Sequence, residues 1–229
     1  MTIEALIFDK DGTLFDFVGT WAKWAEALLL RVAGDDRARA ERIGQEIGFD
    51  LGALRFRPGS VVIANTPLEI ATVMAPLVPE MTRDEIFDLI NEEAEIVTQS
   101  EVLPLAPFLT ALRGRGLRLG VATNDTEAPA LAHLEAAGVR DLFDFIVGCD
   151  SGHGAKPGPG QLLAFASAIG IDPARIAMVG DSTHDLFAGR TAGMMTVGVL
   201  TGVAGRDDLA PHADVVLPDI GHLPAWLDR

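Results

Sequence analysis

Basic residues are scarce in this chain. Lys and Arg number 18 against 33 Asp and Glu, leaving a formal net charge of −15 over 229 residues. Phosphate backbones are bound through a Lys/Arg surplus, so the balance argues against nucleic acid and equally against an anionic membrane surface. Lysine is the scarcer of the two cations, with only Lys10, Lys23 and Lys156. In a chain that prefers arginine, a retained lysine points to a use for its compact ammonium. Cysteine is nearly absent as well. Cys149 stands alone, so no internal disulfide forms, a reducing cytoplasmic setting is expected, and Cys149 reads as a small buried hydrophobe. No apolar run is long enough to span a bilayer. Residues 1–9 carry an acid, Glu4, where a signal peptide would carry Lys or Arg. There is no His/Cys cluster of the zinc-binding kind, no internal repeat and no low-complexity segment.

What remains is ample material for a core. Hydrophobic residues make up 48% of the chain and charged residues 22%, a balance that excludes disorder and fits one or two domains. Short apolar runs rich in β-branched residues at 2–8, 117–123, 143–147, 176–180, 195–200 and, more weakly, 214–217 read as strands. Helical patterns alternate with them at 106–115, at 128–137 before Gly138, at 161–169 before Gly170 and at 184–192 before Gly193. This alternation predicts an α/β fold: a Rossmann-like, doubly wound parallel sheet covered on both faces.

Residues 17–100 break the alternation. Trp21, Trp24, Ala25, Leu28, Leu29 and Val32 form one apolar stripe over three helical turns, which makes both tryptophans core residues. Thr82-Arg83-Asp84-Glu85 is a capping box followed by Ile86, Leu89, Ile90 and Val97 on one face. Further helices are expected at 38–47 and 66–78, and no strand. An all-helical insertion at 17–100 is therefore expected between the first and second strands of a discontinuous core, 1–16 and 101–229. The chain would cross between them near 17–19 and 103–107.

Four polar clusters fall at the strand ends. Asp9-Lys10-Asp11-Gly12-Thr13 sets two acids on one side of the strand if its alternation persists, which would turn Lys10 away from both. Buried acids at the carboxyl end of a strand call for a cation, and that edge is where open α/β sheets bind ligands. A calcium loop is rejected, because Thr13 and Leu14 stand where it needs an acid or Asn and then glycine, and a strand-like run rather than a helix precedes it. Val179-Gly180-Asp181-Ser182-Thr183-His184-Asp185 again ends a strand in acids, with Asp185 either capping the next helix or facing the pocket of Asp181. Val121-Ala122-Thr123-Asn124 offers a hydroxyl and backbone N–H groups suited to a phosphate oxygen. Lys156-Pro157-Gly158-Pro159 places a lone lysine before a rigid turn. Each alone is an ordinary turn or cap; together they converge on one sheet edge.

The order Asp-x-Asp-Gly-Thr, Thr-Asn, Lys-Pro, Gly-Asp-x-x-x-Asp resembles the haloacid dehalogenase superfamily of phosphohydrolases. The insertion after the first motif resembles the helical cap of its phosphoglycolate phosphatase and β-phosphoglucomutase branch. The resemblance implies a phosphatase of small phosphorylated metabolites. Asp9 would be the nucleophile and Asp11 the acid and base. Thr123 and the Asn124 N–H would hold phosphoryl oxygens, and Lys156 would neutralise charge. It implies Mg²⁺ held by Asp9, the Asp11 main-chain carbonyl and Asp181, with Asp185 assisting directly or through water. Relatives usually carry an apolar residue at position 10. The second acid, Asp11, favours phosphoryl transfer over carbon–halogen cleavage, and Thr13 fits the phosphatases better than the mutases. A phosphosugar mutase and a non-catalytic phosphometabolite-binding protein are the alternatives; no partner protein is implied. Within the insertion, Arg55 and Arg57 form the basic pair most suited to a substrate carboxylate, against a role as solvated arginines. His153 and His184 read as loop residues at the rim.

Overall fold

A computed structural model describes residues 2–228. The chain divides into two units: Met1–Phe17 with Gln99–Arg229, and Val18–Thr98.

The apolar runs of the first unit become β1 (Ala5–Phe8), β4 (Arg118–Ala122), β5 (Phe145–Val147), β6 (Ile176–Gly180), β7 (Met195–Val199) and β8 (Val215–Leu217), numbered along the whole chain. They form one six-stranded sheet in the order β5-β4-β1-β6-β7-β8, with every pairing parallel. The helices between them are α5 (Leu105–Gly114), α6 (Glu127–Ala136), α7 (Gly160–Ile169), α8 (Thr183–Ala192) and α9 (Arg206–Leu209), and α10 (Leu223–Leu227) follows the last strand. Gly170 and Gly193 end α7 and α8 in the left-handed conformation, as glycine after a helical pattern should.

Alternation along the strands builds two cores. Leu6 and Phe8 of β1 join Leu119, Val121, Ala177 and Val179 beneath Leu105, Leu109 and Leu112 of α5. Ala5 and Ile7 join Ala122, Met178 and Val147 beneath Leu162, Phe165 and Ala188 of α7 and α8. Both faces are covered, which is why the strands read as continuous apolar runs. The chain leaves β1 for β4 and β5 on one side, then returns to β6 and β7 on the other. β1 therefore stands at the topological switch point, flanked by the strands whose ends carry the other motifs.

The second unit contains α1 (Phe17–Val32) from its second residue on, α2 (Arg37–Glu46), α3 (Pro67–Met74) and α4 (Arg83–Ile96). Trp24, Leu28 and Leu29 are buried in its interior, and the Trp24 indole N–H donates to Ile90 O of α4 at 3.2 Å. Thr82 and Glu85 form their capping box. The expectation of no strand is corrected: β2 (Phe49–Asp50) pairs antiparallel with β3 (Arg55–Phe56). The two phenylalanine rings stack across it at 4.8 Å. Two-residue strands held by one aromatic pair leave no period to read in a sequence. The chain enters α1 at Phe17 rather than through a linker at 17–19, and α5 begins at Leu105 within the expected crossing at 103–107.

Candidate active site

The carboxyl ends of β1, β4 and β6 bring the motifs together. Asp9 follows β1 directly, and its N–H donates to Val179 O at 2.8 Å, continuing the ladder to β6 by one residue. Its side chain lies on the α7 and α8 side of the sheet. There the Lys156 ammonium sits 2.6 Å from Asp9 Oδ1, 2.7 Å from Ala122 O and 2.7 Å from Asp185 Oδ1. With the Asp9 and Ala122 oxygens accepting its hydrogen bonds and Asp185 Oδ1 in ion-pair contact, the Lys156 ammonium is held from three sides. Among the described residues, no hydrogen bond reaches Asp9 Oδ2. Asn124, one residue beyond the buried Thr123, fixes the lysine by its main chain: Asn124 Nδ2 donates to Lys156 O and Asn124 Oδ1 accepts from Lys156 N, both at 2.8 Å. The Thr123 hydroxyl accepts from Asp125 N at 3.1 Å.

Asp181 follows β6, and Asp185 lies one turn into α8. Asp185 both caps and faces the pocket. Its Oδ2 accepts from Ser182 N at 3.0 Å and from the Ser182 hydroxyl at 2.6 Å, closing a capping box, while Oδ1 meets Lys156. Glycines let backbone approach these acids. A Cβ at Gly180 would overlap the Asp185 carboxylate, one at Gly202 would overlap that of Asp181, and one at Gly12 would stand 2.5 Å from Asp181 Oδ2. Gly12 also has φ +82, open to glycine at little cost. Thr201 holds this turn by donating its hydroxyl hydrogen to Gly12 O at 2.6 Å. Thr201 and Gly202 follow β7 without a charged neighbour, so no sequence signal marked them.

Oxygens of Asp9, Asp181 and Asp185 lie within 4.8 Å of one another. One ammonium, that of Lys156, pairs with Asp9 and Asp185, and among the described residues none pairs with Asp181. Burial pushes the Asp9 carboxyl up to about 7, with Lys156 opposing and Asp185 and Asp11 adding to the rise. Burial, then Asp9 and Asp185, hold Asp181 well above the ordinary carboxylate range. Burial pulls the Lys156 ammonium down, but Asp185 and Asp9 outweigh it and leave it above an ordinary lysine. Three crowded carboxylates with too little positive charge and no sulfur or imidazole donor fit a hard divalent cation.

Position 10 corrects the expectation of a lysine turned away from both acids. The regular strand ends at Phe8, and Leu14 and Phe15 N–H groups fold back to Lys10 O. Alternation therefore stops, and the Lys10 ammonium reaches Asp11 Oδ2 at 2.6 Å. Asp125 Oδ2 is 3.4 Å away and His133 Nδ1 3.0 Å. Burial lowers the lysine's pKa, but Asp11 and Asp125 more than compensate and keep it charged. Asp11 is thus outside the three-carboxylate cluster by its side chain.

Arg55 and Arg57 are exposed on the β2–β3 ribbon of the second unit, with Arg57 4.0 Å from Asp50. His153 is an exposed loop residue, whereas His184 lies in the first turn of α8 rather than a loop. Cys149 is half-buried rather than buried, in the turn where its N–H donates to Asp125 O.

Residues 3–193 match the family of haloacid dehalogenase-like hydrolases. The chain belongs to that family. The probable phosphatase IndB of Dickeya dadantii is 34% identical over 93% of this chain and 88% of its own. A phosphoglycolate phosphatase of Neisseria meningitidis is 33% identical over 97% of this chain and 91% of its own. The solved HAD phosphatase of Thermococcus onnurineus shares the fold at a TM-score of 0.66 and 24% identity, covering 98% of each chain. As a haloacid dehalogenase-like hydrolase, the chain is a phosphatase of the family, and its cluster of three aspartates has the chemistry to hold a divalent metal. No helix among the described residues is long and apolar enough to cross a membrane.

Proposed function

We propose that this phosphatase hydrolyses small-molecule phosphate monoesters through an aspartyl-phosphate on Asp9, with phosphoglycolate as the leading substrate. The observation that carries the proposal is the Lys156 ammonium bound between Asp9 and Asp185, beside an Asp9 Oδ2 that no hydrogen bond reaches among the described residues. Asp9 Oδ2 attacks phosphorus as the bond from phosphorus to the leaving oxygen breaks. Asp11 gives its proton to that oxygen. Water then attacks phosphorus, its proton passes to Asp11, and the Asp9–phosphorus bond breaks. Splitting hydrolysis this way replaces one difficult displacement by two easier ones.

A phosphate dianion must approach a carboxylate in a chain of charge −15. Unit charges ~4 Å apart interact by about 4 kcal/mol at an effective dielectric near 20, whereas surface acids beyond roughly 8 Å are screened. The near field therefore decides. Lys156 supplies one positive charge, and the Thr123 hydroxyl and Asn124 N–H would hold phosphoryl oxygens. Asp9, Asp181 and Asp185, with the Asp11 carbonyl, would hold Mg²⁺. When bound, that cation neutralises charge on the transferring group as a Lewis acid. The 17–100 insertion would serve as the cap, with Arg55 and Arg57 offered for a substrate carboxylate; independently, the Neisseria relative is named a phosphoglycolate phosphatase.

The test is a Mg²⁺-supplemented panel of phosphate esters ranked by kcat/KM, with free phosphate measured directly. Phosphoglycolate is expected to lead. β-Glucose 1-phosphate converted to hexose 6-phosphate with little phosphate released would instead establish a mutase. Asp9→Asn is expected to abolish turnover while leaving the fold intact, and parental turnover by that variant would remove Asp9 from the mechanism.

A further inference from the structure

Lys10 is fully buried, with 0% of its surface exposed, and the chemistry proposed above makes no use of it. A buried ammonium is costly to desolvate. Its neighbours along the strand, Leu6 and Phe8, belong to the apolar core, so the position could have been filled by an apolar side chain. What the lysine does instead is grip one oxygen of a carboxylate. Its Nζ is 2.6 Å from Asp11 Oδ2, while Asp11 Oδ1 is buried with no hydrogen-bond partner. The ammonium is itself held from behind by Asp125 Oδ2 at 3.4 Å and His133 Nδ1 at 3.0 Å. An ammonium only donates, so His133 Nδ1 is the acceptor in that contact, and Gln99 Nε2 lies 3.0 Å from the same nitrogen.

We propose that Lys10 is a positioning residue for the reaction: by tying down Asp11 Oδ2 it presents the bare Oδ1 as the oxygen that passes the proton to and from the leaving group. The inference rests on the phosphatase function proposed above. A carboxylate free to turn about its Cβ–Cγ bond would spend much of its time with neither oxygen in line, and proton transfer needs hydrogen-bond reach.

The test exploits leaving groups. The kcat/KM of the Mg²⁺-loaded enzyme reports the steps up to the aspartyl-phosphate. An alkyl phosphate such as phosphoglycolate needs its leaving oxygen protonated, whereas p-nitrophenyl phosphate expels a stable phenolate with little help. Lys10→Met keeps the stem and removes the charge. It is expected to lower kcat/KM for the alkyl ester about 10²-fold or more, within the range of general acid catalysis, and for the aryl ester only a fewfold. A crystal structure of the variant should show the Asp11 carboxylate rotated or split between orientations. Equal losses on both esters, no loss on either, or an Asp11 side chain unmoved in the variant would overturn the inference. If Lys10→Met does not fold, Lys10→Gln, which keeps one donor for Asp11, is held to the same criteria with smaller differences. A parent enzyme that turns over neither ester overturns the phosphatase reading first and this inference with it.

Discussion

Asn124 holds Lys156 by its peptide, not by its charge. The amide takes the main-chain carbonyl and N–H of Lys156 at 2.8 Å each, and so fixes where the ammonium emerges beneath Asp9. Asn124→Ala would strand both groups in the interior. Each buried group left unpaired costs about 1–3 kcal/mol, so denaturant unfolding should show a loss of about 2–6 kcal/mol. Turnover should fall at least tenfold, because Lys156 no longer meets Asp9 in one orientation. A variant as stable and active as the parent would show that the Lys156 loop is held elsewhere.

Gly202 lies against Asp181 so closely that a Cβ would overlap the carboxylate. Gly202→Ala therefore pushes Asp181 out of the three-carboxylate cluster without adding charge or polarity. The expected result is a 10–100-fold weaker requirement-curve for Mg²⁺, the size typical of displaced ligand supports, with much of the activity recovered at high metal concentration. Titration of activity against Mg²⁺ measures it. An unchanged midpoint would mean that Asp181 is not a ligand.

The contrast between these two positions shows what the sequence carries. Asp9, Asp181, Thr123 and Lys156 were legible because each ends an apolar run or precedes a rigid turn, and parallel strands put such ends on one edge. Gly202 was not, since a glycine in a turn says nothing about which side chain approaches it. Lys10 was misread because alternation was carried past Phe8, where the strand ends. Asp125 was passed over because its reason for being buried is Lys10, 115 positions away in the chain but 3.4 Å away in space. The β2–β3 ribbon escaped for want of length. Pattern reading recovers what repeats along the chain; it does not recover single tertiary approaches.

Asp125 gives a pH signature. Burial pushes its carboxyl up to about 6 from an ordinary value of 3.8, with Lys10 opposing and Asp11 adding to the rise. A carboxyl that holds its proton more tightly when folded stabilises the protein less as pH rises. The unfolded chain ionises freely from about pH 4, while the folded chain resists until about pH 6. At ~1.4 kcal/mol per pH unit, stability lost across that window is at most a few kcal/mol, and it stays lost above it. Asp125→Asn removes the contribution. The stability difference between variant and parent should therefore grow in the variant's favour from pH 4 to 6 and level off beyond. A difference independent of pH would show that Asp125 ionises normally.

Metal should act on the fold as well as on the reaction. Asp181 is buried against Asp9 and Asp185 and carries no ion pair of its own, which holds its carboxyl well above the ordinary range. A divalent cation relieves that crowding and binds only the folded chain, so it should raise the melting temperature. Ligand at a hundred times its dissociation constant contributes about 2.7 kcal/mol. Asp181→Asn removes one of the three crowded acids and one of the proposed ligands together. Without metal the variant should melt at or above the parent, and added Mg²⁺ should move it far less. The two effects have opposite sign, so a general loss of packing cannot imitate them. Thermal melts of parent and variant, each with chelator and with Mg²⁺, decide the matter; a parent whose midpoint ignores Mg²⁺ would leave the three carboxylates without the cation assigned to them.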